Sequence, residues 1–293
     1  MQKNMADSET IVIRAESLLA RLEGLLQHVP NAPDWGALAW RWQHNNGRGY
    51  LEPIPYPHQI SLEDLHNVGE QKAEVVRNTE QFVRGVTANN VLLTGARGTG
   101  KSSLVKALLG KFSKAGLRVV EVDKHDLTDL PQITALLRGR PERFIVFCDD
   151  LSFESGEPGY KALKVVLDGS LATTSDNILV YATSNRRHLM PGFMAENLET
   201  KYVGDEIRPA ETVEEKVSLS DRFGIWLSFY PFDQDEYLVI AEQWLRHYGI
   251  KKFDGHARGA ALHWALTRGS RSGRTAHQFA RDYAGRCALS KKG

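Results

Sequence analysis

The hydrophobic pattern of the middle of the chain alternates between short apolar runs and longer segments with apolar residues at helical spacing. Five short runs are predicted to be strands: 91–94, 117–122, 144–148, 178–183 and 226–230. The segments 101–109, 130–137 and 160–167 lie between these runs and have helical periodicity. The run 144–148 has no polar alternation, as expected for a strand that is buried on both faces. Strands that alternate with helices predict a parallel sheet with helices on both faces.

The N-terminal part of the chain has a different pattern. A leucine-rich stripe predicts a helix over 8–29, and Pro30 ends it. The segment 33–42 contains three tryptophans, which either dock it on the main domain or contact a partner. The segment 47–57 contains three prolines and is predicted to be a linker.

The pattern changes again towards the C-terminus. The stretch 190–218 is polar and acidic and contains no obvious element, which is typical of a functional or mobile loop. Beyond Pro231 three helices are predicted, and Asp233 and Glu236 have the spacing of a capping box at the start of the first. We therefore predict three parts, listed here in chain order: an N-terminal helical extension and linker at 1–58, an α/β domain at 59–232 and a helical domain at 233–293.

Composition excludes few classes of protein. Of the 293 residues, 42% are hydrophobic and 25% are charged, which is ordinary for a globular protein, and the net charge of +1 favours no class of partner. Two cysteines without metal-ligand spacing predict neither a metal site nor a disulfide framework, and Cys148 is expected to be a buried small hydrophobe. No signal peptide or apolar run of membrane-spanning length is present, so we expect a cytoplasmic protein with no membrane contact.

The segment Gly95–Ser102 reads GARGTGKS and fits the phosphate-binding loop pattern G-x-x-x-x-G-K-[ST]. It stands between a predicted strand and a predicted helix, which is the context that this motif requires. Glycines allow backbone N–H groups to turn towards a phosphate, and the following helix points its N-terminus at the same anion. Lys101 can reach the β- and γ-phosphates, and the Ser102 hydroxyl can bind Mg²⁺. The predicted nucleotide-binding residues here are Gly95, Ala96, Arg97, Gly98, Thr99, Gly100, Lys101, Ser102 and Ser103.

Two carboxylates, Asp149 and Asp150, follow the apolar strand 144–148 directly. In a phosphate-loop fold this is the Walker B pattern. Asp149 is expected to hold Mg²⁺ together with Ser102, and Asp150 is expected to polarise the attacking water.

With these motifs the chain resembles the AAA+ ATPase superfamily over about residues 59–293. Within it, the sequences Phe147–Phe153 and Ser220–Gly224 are most similar to an uncharacterised bacterial group of predicted ATPases. The resemblance implies a five-stranded parallel sheet flanked by helices and a C-terminal helical lid. It also implies an ATPase that uses ATP and Mg²⁺, releases ADP and works as a homo-oligomer.

The resemblance assigns further site residues. Asn185, in the sequence ATSNR, matches the sensor 1 residue that contacts the γ-phosphate and water, although it can instead satisfy the end of a strand. Arg222 matches the arginine finger that a neighbouring subunit supplies, with Arg186 and Arg187 as rivals and a surface pair with Asp221 as the alternative. Arg274 matches the sensor 2 residue of the lid, although it can instead cap a helix or pair with an acid. Val68 and Gly69, together with Ile60, match the segment that packs on adenine.

The second acid departs from the superfamily, which usually has Glu where this chain has Asp150. Asp is one methylene shorter, so the water can be placed differently or hydrolysis can be slow, and Glu154 is a less favoured substitute. ATP binding is therefore a firmer expectation than fast turnover.

The sequence leaves the partner open. The segment 123–127 contains no aromatic residue of the kind that unfolding rings use to grip polypeptides, and 153–160 can form a different central loop or a plain turn. From Arg246 onward the chain holds 11 Lys and Arg against two acids, which is compatible with DNA binding or with contacts to ATP. Two classes of function remain: an ATPase that remodels an unidentified protein partner, and an ATP-dependent switch or loader with slow turnover that acts with DNA or a DNA-bound protein.

Overall fold

A computed structural model of the chain describes residues 14, 16–19, 21, 32–57, 60–153, 157–168, 176–186, 201–203, 206–208, 219 and 221–290. Residues 14, 16–19 and 21 are helical, in agreement with the predicted first helix. The predictions made for Glu154, Arg187, Ser220 and most of the stretch 190–218 lie outside the described residues.

Beyond that N-terminal helical segment, nine strands and seven α-helices are described. The strands are β1 (Ala39–Asn45), β2 (Arg48–Pro53), β3 (Val91–Gly95), β4 (Leu117–Val122), β5 (Arg143–Cys148), β6 (Ile178–Ser184), β7 (Lys201–Val203), β8 (Glu206–Arg208) and β9 (Ile225–Phe229). The helices are α1 (Gly69–Val83), α2 (Lys101–Phe112), α3 (Leu130–Leu137), α4 (Pro158–Asp168), α5 (Gln234–His247), α6 (Gly255–Thr267) and α7 (Gly273–Ser290).

Seven of the strands form one sheet in the order β2-β1-β4-β5-β6-β3-β9. All neighbours in this sheet are parallel except β1 and β2, so the predicted α/β class with a parallel sheet is confirmed. The five predicted strands are β3, β4, β5, β6 and β9. The sheet therefore has two strands more than the five-stranded prediction, and both come from the N-terminal part of the chain.

The additional strands form a hairpin from a segment that was partly predicted to be a linker. Asn46 and Gly47 both have positive φ, at 50° and 75°, as a two-residue type I′ turn requires. An Asn-Gly pair between alternating apolar residues is a strong hairpin signal, and the prolines at the end of the segment concealed it. Strand β1 then pairs with β4 and extends the sheet at that edge.

The tryptophans dock this hairpin on the domain, which was one of the two predicted alternatives. Trp40 and Trp42 are fully buried in the core, and Trp35 packs partly buried against it. The indole Nε1 of Trp42 donates a hydrogen bond to Asp129 Oδ2 at 2.9 Å. The burial of both rings fixes the hairpin to the body of the protein.

Two apolar cores lie on opposite faces of the sheet, because alternate residues of a strand point in opposite directions. One core joins α3, α4 and the tryptophans to alternate residues of β4, β5 and β6, and Cys148 is buried there as a free thiol, as predicted. The other core joins α1 and α2 to the intervening strand residues. Helices α5, α6 and α7 enclose a third core of their own, and the predicted capping box of Asp233 and Glu236 starts α5.

A small antiparallel ladder lies within the stretch that was predicted to contain no regular element. Strands β7 and β8 pair there, with Tyr202 opposite Ile207. Throughout the described part of the chain, no helix is both long and apolar enough to cross a membrane.

Candidate functional site

The carboxyl ends of β3, β5, β6 and β9 meet at one edge of the sheet because these strands run parallel. The predicted phosphate loop follows β3, the two acids follow β5, and Asn185 follows β6. Residues that are far apart in the sequence are thus brought to one place by the topology.

The loop begins where β3 lies against the end of β9. Gly95 has a φ of 133°, and a Cβ atom added to it would lie 1.9 Å from the carbonyl oxygen of Phe229. The next residue, Ala96, donates its backbone N–H to that same carbonyl at 3.3 Å. No side chain larger than hydrogen fits at position 95, so glycine is required for the strand to turn into the loop.

Lys101 starts α2 and is buried, with 5% of its surface exposed. Its ammonium group donates hydrogen bonds to the carbonyl oxygens of Gly95 at 2.8 Å and Ala96 at 2.7 Å. A third bond reaches the Asn185 Oδ1 at 3.2 Å. Burial lowers the pKa of Lys101 to about 8, against the opposing effect of Asp149 and Asp150. The cation is therefore held inside the loop by acceptors that a phosphate group can replace.

Asp149 and Ser102 form the part of the site that suits a magnesium ion. The Ser102 hydroxyl donates to Asp149 Oδ1 at 2.6 Å, so a carboxylate oxygen and a hydroxyl oxygen lie side by side. Mg²⁺ prefers such hard oxygen ligands, and it usually takes one or two from protein and the rest from phosphates and water. Among the described residues no group of three or more His, Cys, Asp or Glu side chains can hold a metal ion, so no all-protein cage competes with this pair.

Asp150 projects from a backbone conformation that is rare for a residue with a side chain, with a φ of 54°. Its Oδ1 accepts a hydrogen bond from the Asn185 Nδ2 at 2.5 Å, and its Oδ2 lies 3.8 Å from a guanidinium nitrogen of Arg97. The Asn185 amide thus bridges Asp150 and Lys101, since its oxygen accepts from the lysine. The predicted water-polarising acid, the sensor and the loop lysine form one connected network.

Thr183 also belongs to this network, and the sequence analysis did not single it out. Its hydroxyl lies 2.5 Å from Asp149 Oδ1 and 3.0 Å from the backbone nitrogen of Asp150. A polar residue two positions before Asn185, at the end of an apolar strand, is the signal that identifies it, because side chains two apart on a strand point to the same face.

The helical C-terminal region rests on the loop. The backbone N–H of Gly273, the first residue of α7, donates to the carbonyl of Gly98 at 2.9 Å. Ser272 is buried, and its hydroxyl accepts from the N–H of Thr275, which caps the helix. Arg274 is exposed in the first turn of α7. The structure therefore places the predicted sensor 2 residue directly after a backbone contact with the phosphate loop.

Val68 and Gly69 lie at the start of α1. Val68 is buried, with 4% of its surface exposed, in the core that α2 also lines, and Ile60 packs partly buried against that core. Leu65 approaches the loop, since its Cδ2 lies 3.9 Å from the position of a Cβ on Gly100. This segment supports the loop from the side of α2, and its contact with adenine remains a prediction.

Arg222 is paired within its own chain. Its Nε donates to Asp168 Oδ1 at the end of α4, and 23% of the side chain is exposed. The alternative considered from sequence was a pair with Asp221, and the structure instead shows Asp168, which lies 54 positions earlier. The rival Arg186 follows Asn185, and its backbone N–H donates to the Ser184 hydroxyl at 3.1 Å.

The basic residues of the helical region divide into two groups. Some interact within it: Arg246 pairs with Glu242, Arg286 pairs with Asp282, and Arg268 stacks on Trp264. Arg258 lies over the ring of Phe253, and Arg281 is adjacent to Asp282 in sequence. The other described cations are exposed and have no acidic residue next to them in sequence, and they are Lys251, Lys252, Arg271 and Arg274. All nine described Lys and Arg residues from Arg246 onward are exposed, and Lys291 and Lys292 lie outside the described residues.

A family model with the description "Protein of unknown function (DUF815)" matches residues 36–287. No curated protein sequence matches the chain.

Solved structures of AAA+ proteins have a similar fold. The RuvB Holliday junction branch migration motor of Thermotoga maritima matches with 17% sequence identity and a TM-score of 0.50, over 79% of this chain and 66% of that chain. The Aeropyrum pernix ORC1 protein in complex with DNA matches with 14% identity and a TM-score of 0.53, over 76% of this chain and 61% of that chain. Likeness at this identity shows the fold, so the chain has the AAA+ fold. It spans less than two thirds of the length of either protein.

Proposed function

This chain belongs to the family described as "Protein of unknown function (DUF815)", and we propose that it binds ATP together with Mg²⁺ and hydrolyses it to ADP and phosphate. One observation carries the proposal: Lys101, Ser102, Asp149, Asp150 and Asn185 converge through hydrogen bonds at one edge of the sheet. Both cysteines are free, which favours the reducing cytoplasm as the compartment.

The loop residues 95–103 would surround the phosphates. Their backbone N–H groups and the N-terminus of α2 favour an anion, and Lys101 would exchange the carbonyls of Gly95 and Ala96 for phosphate oxygens. Ser102 and Asp149 would hold Mg²⁺, which neutralises charge on the β- and γ-phosphates when it is bound.

Asp150 and Asn185 would act on the attacking water. The Asp150 carboxylate would accept a proton from that water as the water oxygen bonds to the γ-phosphorus and the bond between this phosphorus and the bridging oxygen of ADP breaks. Asn185 holds the carboxylate in place, as it does in this structure at 2.5 Å. Arg274 of the same chain and Arg222 of a neighbouring subunit would stabilise charge on the γ-phosphate. The site is then shared between two subunits of a homo-oligomer that remodels a protein partner.

Replacing Asp150 by asparagine is expected to spare ATP binding and to lower turnover by about 10²- to 10⁴-fold, because the amide cannot accept a proton. Binding is measured by calorimetry and turnover by phosphate release. Asp176→Asn, which makes the same change on an exposed turn, is expected to match the parent. Turnover of Asp150→Asn at the parental rate would contradict the assignment. The variant, held in ATP, is also the bait for capturing the partner.

A second candidate function is an ATP-dependent switch or loader that acts with DNA. The exposed cations of the helical region favour it, and the two similar structures are of a Holliday junction branch migration motor and of an ORC1 protein in complex with DNA. In this function the basic helical surface would contact backbone phosphates, and turnover would be slow without DNA.

We expect single- or double-stranded DNA to bind with an affinity that falls as salt rises, because counterions are released from each phosphate that is contacted. A fluorescence titration at two salt concentrations measures this. Charge reversal of Lys251 and Lys252 to Glu should weaken binding, whereas the same reversal of Lys161 and Lys164 on α4 should not. Absence of salt-sensitive binding would exclude this function. Turnover that rises with DNA would favour it over protein remodelling.

A further inference from the structure

Thr183 makes contacts with both acids of the candidate site. Thr183 is buried, with 1% of its surface exposed. The hydroxyl lies 2.5 Å from Asp149 Oδ1 and 3.0 Å from the backbone nitrogen of Asp150. The Thr183 carbonyl also accepts the N–H of Leu151 at 2.7 Å. One residue of β6 thus holds three consecutive residues that follow β5.

The direction of these hydrogen bonds follows from the groups involved. An ionised carboxylate can only accept, and a backbone N–H can only donate. The single hydroxyl hydrogen of Thr183 therefore points to Asp149, and a lone pair of the same oxygen faces the N–H of Asp150. Only a side chain that both donates and accepts can satisfy this position.

Each contact has a separate effect on the site. Asp149 Oδ1 accepts from two hydroxyls, those of Ser102 and Thr183, which fixes the rotation of the carboxylate that would hold the metal. The acceptor for the Asp150 N–H lies where the backbone adopts its left-handed conformation, with a φ of 54°. That conformation persists when surrounding contacts determine it, and the Thr183 hydroxyl is one of them.

The fold provides the geometric reason for this arrangement. Ala182 is paired with Cys148, the last residue of β5, so the next residues along the two strands are Thr183 and Asp149. Thr183 and Asn185 are two positions apart, and they meet Asp149 and Asp150 respectively. Residues at the end of β6 therefore form hydrogen bonds with both acids.

We propose that Thr183 is a positioning residue that fixes the metal-binding acid Asp149 and the water-polarising acid Asp150 relative to each other. This inference rests on the proposed ATPase function and adds a residue that acts through the two acids. Groups that orient a metal ligand by a hydrogen bond typically change metal affinity or activity by about 10- to 100-fold when they are removed.

The test replaces the hydroxyl and measures divalent metal binding directly. Thr183→Val keeps the branched shape and loses both hydrogen bonds. We expect it to weaken Mn²⁺ binding in the presence of ADP by about 10- to 100-fold. Electron paramagnetic resonance of the free Mn²⁺ measures this affinity. The Mg²⁺ concentration for half-maximal ATP turnover should rise by a similar factor. Thr183→Ser retains the hydroxyl and should restore both values towards the parent.

A matched control separates positioning from stability. Thr79 is another fully buried threonine whose hydroxyl makes two hydrogen bonds, to Val75 O and the Tyr181 hydroxyl, away from the acids. Thr79→Val should lower the melting temperature without changing metal affinity. If Thr183→Val does not fold, Thr183→Cys takes its place, because a thiol is a weak donor and acceptor.

The outcomes distinguish a failure of this inference from a failure of the proposed ATPase function. If the parent binds ADP and metal and Thr183→Val has the same metal affinity, the positioning role alone is overturned. A metal defect that Thr183→Ser does not relieve would overturn it as well. A parent that binds no ADP under any condition would overturn the proposed function together with the inference.

Discussion

Replacement of Lys101 by alanine is expected to abolish ATP binding at concentrations where the parent is saturated. The ammonium group is the buried cation of the loop, and the proposed complex needs it on the β- and γ-phosphates. Removal of one partner from a buried charge pair costs about 2–5 kcal/mol, which corresponds to a loss of affinity of about 30- to 5,000-fold. Calorimetric titration of ATP in the presence of Mg²⁺ measures the change.

Two further variants show that the effect belongs to this one side chain. Lys106 lies on the same helix α2 but is exposed, so Lys106→Ala should bind ATP like the parent. Lys101→Arg keeps the charge but has a planar group in place of a compact one, so we expect it to recover binding only in part. Lys101→Ala is expected to remain folded. Burial lowers the pKa of Lys101, so the folded protein disfavours the charged ammonium, and the alanine removes this unfavourable contribution. Unchanged ATP affinity in Lys101→Ala would refute nucleotide binding at this loop.

Much of the α/β domain around the loop at 95–102 could be predicted because its signals are local. The motif at 95–102 specifies a strand before it and a helix after it, and the structure has β3 and α2 there. Asp149 and Asp150 follow an apolar run with no alternation, which indicated a central strand. The resemblance to the AAA+ superfamily singled out Asn185, and because the strands are parallel, the end of β6 brings it beside these acids.

Other features depend on contacts between distant residues and could not be predicted in this way. The pairing of Arg222 with Asp168 joins residues 54 positions apart, and the nearer Asp221 was the only partner that sequence offered. Thr183 has a sequence signal, its spacing of two positions from Asn185, but only the strand register places it next to Asp149. The hairpin of β1 and β2 was different, because its Asn46-Gly47 turn was visible in the sequence. The segment was nevertheless predicted to be a linker because of its three prolines.

Arg222→Ala is expected to retain ATP binding and to lose hydrolysis by about 10³- to 10⁵-fold, the contribution of an arginine finger. The guanidinium would stabilise charge on the γ-phosphate of a neighbouring subunit, whereas binding depends on the loop of the subunit's own chain. Turnover and ATP affinity are measured on a preparation whose oligomeric state has been determined. Arg48→Ala, an exposed arginine in β2, is the matched control and should behave like the parent.

Mixing two inactive variants tests whether the site is shared. Lys101→Ala subunits have an intact Arg222 but bind no ATP, and Arg222→Ala subunits bind ATP but lack the guanidinium. If Arg222 acts across the interface, mixed oligomers regain part of the turnover, because some interfaces combine an intact loop with an intact arginine. Asp168→Asn should remain active, since it removes only the charge of one group that Arg222 contacts in its own chain. No recovery on mixing would show that Arg222 is not the finger. Loss of turnover in Arg186→Ala, with turnover retained in Arg222→Ala, would show the same.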